Sequence, residues 1–129
     1  MRRIVLLPLV GLLLAGCGGS KQASLYTLAP TKECTRTVLG VTDFAPTEGD
    51  FVASTASGGS LRVHLADNAV TVLFAADGQE ATNLADAYVR FHAKNVGVQD
   101  VLRTENNAVL LWQLHPSADD ENKIHDCLK

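Results

Sequence analysis

The sequence predicts an α+β fold, a two-layer sandwich in which an antiparallel four-stranded sheet has helices on one face and follows a short N-terminal helix. Three observations predict it. Apolar and polar residues alternate in short segments, which is typical of half-buried strands. Between these segments the apolar spacing becomes helical. The order strand, strand, helix then occurs twice, in a weak repeat that places Asn68-Ala69-Val70 over Asn107-Ala108-Val109, 39 residues later.

The first element is a predicted short helix over residues 31–39. Thr31 can cap its start, and Gly40 stands where a helix of this length would end. We expect Cys34 and Val38 on the inner side of this helix.

The apolar residues of the segment 41–60 follow neither strand nor helix spacing clearly. Asp50 could cap a turn that runs to Thr55, or Phe51-Val52 could form a short edge strand. The serine- and glycine-rich end, Ser54–Ser60, lacks the G-x-S-x-G pattern of a nucleophile elbow and the lysine of a phosphate-binding loop. We therefore interpret it as a plain loop before a strand.

The first hairpin alternates clearly. Its first strand, "SLRVHL", places Leu61, Val63 and Leu65 on one face and Arg62 and His64 on the other. The residues "ADN" suit a tight turn, and "AVTVLFA" is the returning strand. We expect the apolar set on the covered face of the sheet, which directs Arg62 and His64 outward.

A helix and a second hairpin follow. Residues 77–95 have helical spacing. The apolar side of this helix is formed by Ala81, Leu84, Ala85, Tyr88, Phe91 and His92. The segments "DVLRTE" and "AVLLWQL" repeat the hairpin. A last helix begins after Ser117, whose hydroxyl can cap it, and the stretch Asp119-Asp120-Glu121 adds favourable charge at its positive end.

The second hairpin contains more apolar side chains than one covered face requires. The apolar residues of Leu110–Leu114 cannot all point the same way, since neighbouring residues of a strand face opposite sides. We expect a residual apolar surface at Leu111 and Trp112 unless part of the 41–60 segment folds over it. Such a surface would bind a partner or a second copy of the chain.

The first residues have the plan of a secretory signal. Arg2-Arg3 precedes an apolar run, Ile4–Leu14, of 11 residues, which is too short to span a membrane. The sequence then reads Leu14-Ala15-Gly16-Cys17, which resembles the lipobox of bacterial lipoproteins. The resemblance implies that a lipid is attached to the Cys17 thiol and that the signal, residues 1–16, is cleaved just before it.

This resemblance divides the chain into three parts. Residues 1–16 are the expected signal, residues 17–29 the lipidated cysteine and a flexible tether, and residues 30–129 one small domain. The acylated protein would lie on the cell membrane or, since Gly18 and not Asp follows Cys17, on the outer membrane of a two-membrane cell, facing the extracytoplasmic side. The lipid would supply the anchoring, because the mature chain has 9 basic and 14 acidic side chains, a net charge of −5.

Export also bears on the two remaining cysteines. Cys34 and Cys127 would reach an oxidising compartment as an even pair, which predicts a disulfide between the start and the end of the domain. A metal site would need more than two closely spaced thiols, and the four histidines are not at metal-ligand spacing from one another. These histidines are His64, His92, His115 and His125. We therefore expect no metal and no cofactor.

The sequence favours binding over catalysis. A set of nucleophile, base and oxyanion donor cannot be assembled from it, and nucleic-acid binding would need a concentrated basic patch. Asp119-Asp120-Glu121 does not have the spacing of a calcium-binding loop. We expect a lipid-anchored, non-catalytic module that binds an envelope protein or the cell wall. The alternative is a small surface enzyme or an enzyme inhibitor whose site forms only in three dimensions.

Overall fold

The computed structural model describes residues 24–91 and 97–129. These residues form an α+β domain with one antiparallel sheet, which confirms the predicted fold class. The strands are β1 (Phe44–Ala45), β2 (Ser60–His64), β3 (Ala69–Phe74), β4 (Leu102–Glu105) and β5 (Ala108–Trp112). The helices are α1 (Leu28–Val38), α2 (Gly78–Phe91), the single turn α3 (Val98–Val101) and α4 (Ala118–Cys127).

The sheet has five strands in the order β1-β2-β3-β5-β4, so the predicted number of four is wrong. The two predicted hairpins lie side by side, with β3 paired to β5. The additional strand is Phe44–Ala45, which pairs with β2. Two residues are too few to show the period of two by which a sequence identifies a strand.

Helices cover both faces of the sheet, so the predicted arrangement with a single covered face is also wrong. On one face, Ile124 of α4 belongs to a buried cluster with Val63 and Val72. On the opposite face, α2 belongs to a second cluster with Leu73 and Val109. The reason lies in β3, because all six of its residues are buried, and a strand buried on both sides needs a layer on each.

The first hairpin has the predicted orientation. Leu61 and Val63 are buried in the cluster under α1 and α4, and Leu65 packs against that cluster. Arg62 and His64 alternate to the opposite face, where His64 is exposed.

Helix α1 has a different inner side from the predicted one. Val38 is 70% exposed, whereas Thr31 and Thr35 are buried. The Thr35 hydroxyl donates to the Lys32 carbonyl, and the Thr31 hydroxyl accepts from the Lys129 N–H. A spacing argument based on apolar residues overlooks threonines whose polar atoms are paired in this way.

The domain begins earlier in the chain than predicted. Tyr26, which the sequence assigns to the tether, packs against the core. The Thr27 N–H donates to the Lys129 carbonyl at 2.6 Å. Cys34 and Cys127 form a disulfide whose Cα atoms are 5.3 Å apart. The first and last described segments are therefore joined by hydrogen bonds and by a covalent bond.

Asn68 and Asn107, the residues that the weak repeat aligns, make the same kind of backbone contact in their two hairpins. Each side-chain amide binds both backbone groups of one distant residue. Asn68 accepts from the Leu114 N–H at 3.0 Å and donates to the Leu114 carbonyl at 3.1 Å. Asn107 accepts from the Tyr26 N–H at 2.7 Å and donates to the Tyr26 carbonyl at 2.9 Å. Each asparagine therefore attaches a further segment of backbone to a hairpin.

Candidate functional site

Asp50 caps a turn, which decides between the two interpretations of residues 41–60. Its Oδ1 accepts from the Ala53 N–H at 2.9 Å, and a short 3₁₀ helix, Ala53–Thr55, follows. The edge strand at Phe51-Val52 is therefore wrong. The second Asp50 oxygen, Oδ2, accepts from the Tyr88 hydroxyl at 2.7 Å. One carboxylate thus orders the turn and attaches it to α2.

Tyr88 is a stable donor in this contact. Its side chain is buried in the cluster beneath α2. Burial, and then the hydrogen bond to Asp50, raises the pKa of the Tyr88 hydroxyl. The hydroxyl therefore keeps its proton, and can still donate to Asp50, at an alkaline pH at which a free tyrosine side chain would ionise.

The turn presents an aromatic side chain to solvent beside the end of α2. Phe51 is 72% exposed and Phe91 is 66% exposed. Their rings meet edge to face, with centroids 6.2 Å apart. Between the turn and the helix lies a hollow of about 370 Å³ whose wall includes the half-buried Leu111. We call Phe51, Phe91 and Leu111 the aromatic surface.

Arg62 lies on the same face of the sheet as the aromatic surface. The strand register places Arg62, Thr71 and Leu111 in one row across β2, β3 and β5. The Arg62 guanidinium donates one hydrogen bond of 3.0 Å to the Thr71 hydroxyl and another of 3.0 Å to the Gln113 side chain. The β2 side of this face therefore carries polar side chains that are bonded to one another.

Leu111 and Trp112, the predicted interaction residues, lie on opposite faces of the sheet. Leu111 belongs to the aromatic surface. Trp112 is 2% exposed and lies in the cluster under α1 and α4, so it is not part of an open surface. Val52 is buried with Leu73 on the Leu111 side. Part of the 41–60 segment thus folds over this side, and the exposed apolar rings are those of Phe51 and Phe91.

The sequence did not identify the two exposed rings as a pair. Helical spacing places Phe91 on the inner side of its helix, but it lies almost one turn beyond Tyr88, the last buried residue of α2. Phe51 falls in a segment without a period. The sequence does contain one indication that Phe51 is exposed, because it directly follows Asp50, a residue that can cap a turn. A turn has no strand or helix face on which the ring can be buried.

The candidate histidines that the structure describes lie apart from one another. His64 is exposed on β2. His115 Nδ1 lies 2.8 Å from an Asp100 oxygen, and His125 pairs with Glu105. Within residues 24–91 and 97–129, no group of three or more His, Cys, Asp or Glu side chains could hold a metal ion.

The serine- and glycine-rich loop is held by structural contacts. The Ser57 N–H and hydroxyl donate to Glu80 Oε1, and the Ala76 N–H donates to Glu80 Oε2 at 2.7 Å. These bonds, that from Ala76 first, lower the pKa of the Glu80 carboxyl. A Cβ on Gly58 would stand 2.6 Å from the Phe74 carbonyl oxygen. The close approach of two backbone segments therefore explains this glycine.

The acidic stretch Asp119-Asp120-Glu121 belongs to the first turn of α4. The Ser117 hydroxyl accepts from the Asp120 N–H at 3.1 Å, as the capping pattern predicts. Glu121 accepts from Arg103 Nε at 2.8 Å. The first contact caps the helix, and the second attaches α4 to strand β4.

Some expected features lie outside the described residues, namely the signal, Cys17 and His92. In the part of the chain that the structure describes, no helix combines the length and the apolar character needed to cross a membrane.

No family model, curated protein or solved structure matches the chain.

Proposed function

We propose that the chain is a lipid-anchored extracytoplasmic module that binds a protein of the cell envelope through its aromatic surface. The observation that carries the binding role is the pair Phe51 and Phe91, two rings more than half exposed that pack only edge to face. Large exposed aromatic side chains grouped around a hollow are typical of protein interaction sites. The anchoring role is supported by the lipobox-like stretch that ends at Cys17.

The aromatic surface is ordered before a partner arrives. Asp50 holds the turn that carries Phe51 to the buried Tyr88 of α2, so the position of Phe51 relative to Phe91 is fixed. A preorganised surface loses little conformational entropy on binding. Arg62 and the residues bonded to it supply a polar border on one side, which is the usual arrangement around an apolar interface centre.

The aromatic surface faces away from the point where the tether joins the domain. The Ser24 carbonyl accepts from Asn106 at 2.8 Å, in the turn between β4 and β5. Helix α2 starts at this end of the sheet, since Ala75, shortly before it, bonds to Asn107. The helix has 14 residues and therefore carries Phe91 about 21 Å away. A partner would approach from the side opposite the anchored membrane.

A photocrosslinker placed at Phe51 or Phe91 should capture the partner. With p-benzoylphenylalanine at either position, irradiation of intact cells should give an adduct that contains one envelope protein. The matched control is Val38, which is 70% exposed and lies on α1, on the other face of the sheet. Immunoblots and mass spectrometry of the adduct bands provide the measurement.

The Val38 control tests whether crosslinking is specific to the aromatic surface. An adduct from Val38 as strong as those from the two phenylalanines would contradict a specific role for the aromatic surface, as would no adduct at either phenylalanine. If every adduct contained only two copies of this chain, the envelope partner would be wrong, and the aromatic surface would be a site of self-association.

Replacing Cys17 by serine should move the protein out of the membrane fraction or leave an uncleaved precursor. The thiol is the group to which the lipid would be attached, and a serine hydroxyl does not replace it. Fractionation, metabolic labelling with a palmitate analogue and the apparent mass on a gel measure the effect. A Cys17→Ser variant that fractionates, labels and migrates like the unaltered protein would show that the anchor is wrong.

A further inference from the structure

A second pocket lies on the sheet face opposite the aromatic surface. It has a volume of about 350 Å³, is open to solvent on one side, and is lined by residues of the edge strand β4, its neighbour β5 and helix α4. Every lining residue except Leu110 has a polar side-chain group, and these residues include Arg103, Glu105, Trp112, Glu121, Asn122 and His125. We call it the α4 pocket. Its volume is at the lower end of the range for pockets that hold small molecules.

Trp112 gives this pocket an unused hydrogen-bond donor. The side chain is 2% exposed, and its Nε1 has no hydrogen-bond partner among the described residues. It is the only buried side-chain nitrogen or oxygen in those residues of which this is true. Buried donors are nearly always paired, so this one calls for an acceptor. Because this nitrogen is itself buried, a ligand in the pocket would reach it only if a neighbouring side chain moved. The exposed side chain of Asn122 lines the same pocket and takes part in no hydrogen bond among the described residues.

The charged side chains around the α4 pocket already have partners. Arg103 Nε donates to Glu121 Oε1 at 2.8 Å, and His125 Nδ1 contacts Glu105 Oε1. An ion of either sign would approach a like charge in one of these pairs. The second oxygens of Glu105 and Glu121 take part in no described hydrogen bond and can accept from a ligand. The pocket therefore suits a neutral ligand that both donates and accepts.

We propose that the α4 pocket binds a neutral pyranose sugar. Each sugar hydroxyl can donate to a carboxylate oxygen and accept from an N–H, which matches Glu121, Asn122 and the Trp112 indole. The apolar C–H face of the ring would pack on Leu110, which also lines the pocket. This proposal does not depend on the aromatic surface, because the two sites lie on opposite faces of the sheet.

The single tryptophan makes the proposal directly measurable. The full-length protein, ¹⁵N-labelled and held in a detergent without a sugar headgroup, is titrated with glucose, N-acetylglucosamine and the N-acetylglucosamine trimer to about 50 mM, well above a millimolar Kd. We expect the indole N–H resonance of Trp112 to shift saturably. Tighter binding of the trimer would assign the site to a glycan chain, and equal binding to a single sugar unit.

His125→Ala and His115→Ala form a matched pair for this titration. Both histidines are exposed and each pairs with one carboxylate, but only His125 lines the pocket. His125 Nδ1 contacts Glu105, so its Nε2 is the ring nitrogen that can bond to a sugar hydroxyl. His125→Ala should therefore weaken sugar binding about fivefold, the effect of one lost hydrogen bond, and His115→Ala should leave it unchanged. An indole resonance that does not move, equal effects of the two variants, or binding of glucuronate as tight as that of glucose would overturn the proposal.

Discussion

Replacing both Cys34 and Cys127 by serine should lower the free energy of unfolding by about 4 kcal/mol. The two residues are 93 positions apart, so the disulfide closes most of the domain into one loop. In the chain-entropy model, a loop of this length removes a large part of the conformational freedom of the unfolded chain. Small domains are stable by only about 5–15 kcal/mol, so the variant should be close to the limit of folding at 37 °C.

Urea unfolding of the oxidised protein, the reduced protein and the double variant measures this effect. Cys17→Ser is the matched control, because it removes a cysteine and leaves the pair intact. The reduced protein and the double variant should unfold at a similar, lower urea concentration, and the control should unfold with the oxidised protein. Two reactive thiols in the exported control would contradict the disulfide.

Replacing Asn107 by alanine should lower the free energy of unfolding by about 3 kcal/mol. The side chain is 1% exposed and makes three hydrogen bonds, two with the Tyr26 backbone and one with the Ala75 carbonyl. Its loss leaves these backbone groups without partners in a place that water cannot easily reach. Unpaired buried polar groups cost about 1–3 kcal/mol each.

Asn68→Ala is the matched control for Asn107→Ala. Asn68 holds the Leu114 backbone with the same pair of hydrogen bonds, but it is half-buried, so water can replace the lost amide. Its replacement should cost about 1 kcal/mol. Thermal and urea unfolding measure the stability of the two variants. Equal losses of unfolding free energy would contradict the explanation that burial makes Asn107 the more important residue. Hydrogen exchange at Tyr26 should rise only in Asn107→Ala.

The sequence correctly predicts a strand that buries only one of its faces. It does not predict the consequence of a strand that is buried on both faces. The alternation of Leu61, Val63 and Leu65 identifies a strand and its inner face, because its opposite face is polar. The returning strand is different, since "AVTVLFA" is apolar at odd and even positions alike. Such a run is typical of a strand that is buried on both sides. It therefore indicates that a second layer, here α2, covers the other face of the sheet.

The candidate sites were only partly predictable for a related reason. The excess of apolar residues at Leu110–Leu114 predicts that something must cover or use the second face, and Leu111 does contribute to the aromatic surface. The positions of Phe51 and Phe91 depend on a turn and a helix end that meet only in the folded chain. The Trp112 N–H has no partner because of how β5 packs under α4, and this packing cannot be predicted from a local sequence pattern.

The joining of the two ends of the domain has a mechanical consequence. In the proposed arrangement, a pull between the membrane and a bound partner enters at Tyr26 and then reaches Cys34. Beyond that residue the chain is a closed ring, because the disulfide links Cys34 to Cys127. The load is then shared between α1 and α4, and neither can be peeled from the sheet unless the other is displaced too. The domain should therefore resist force as a covalently closed ring, in which α1 and α4 must be displaced together.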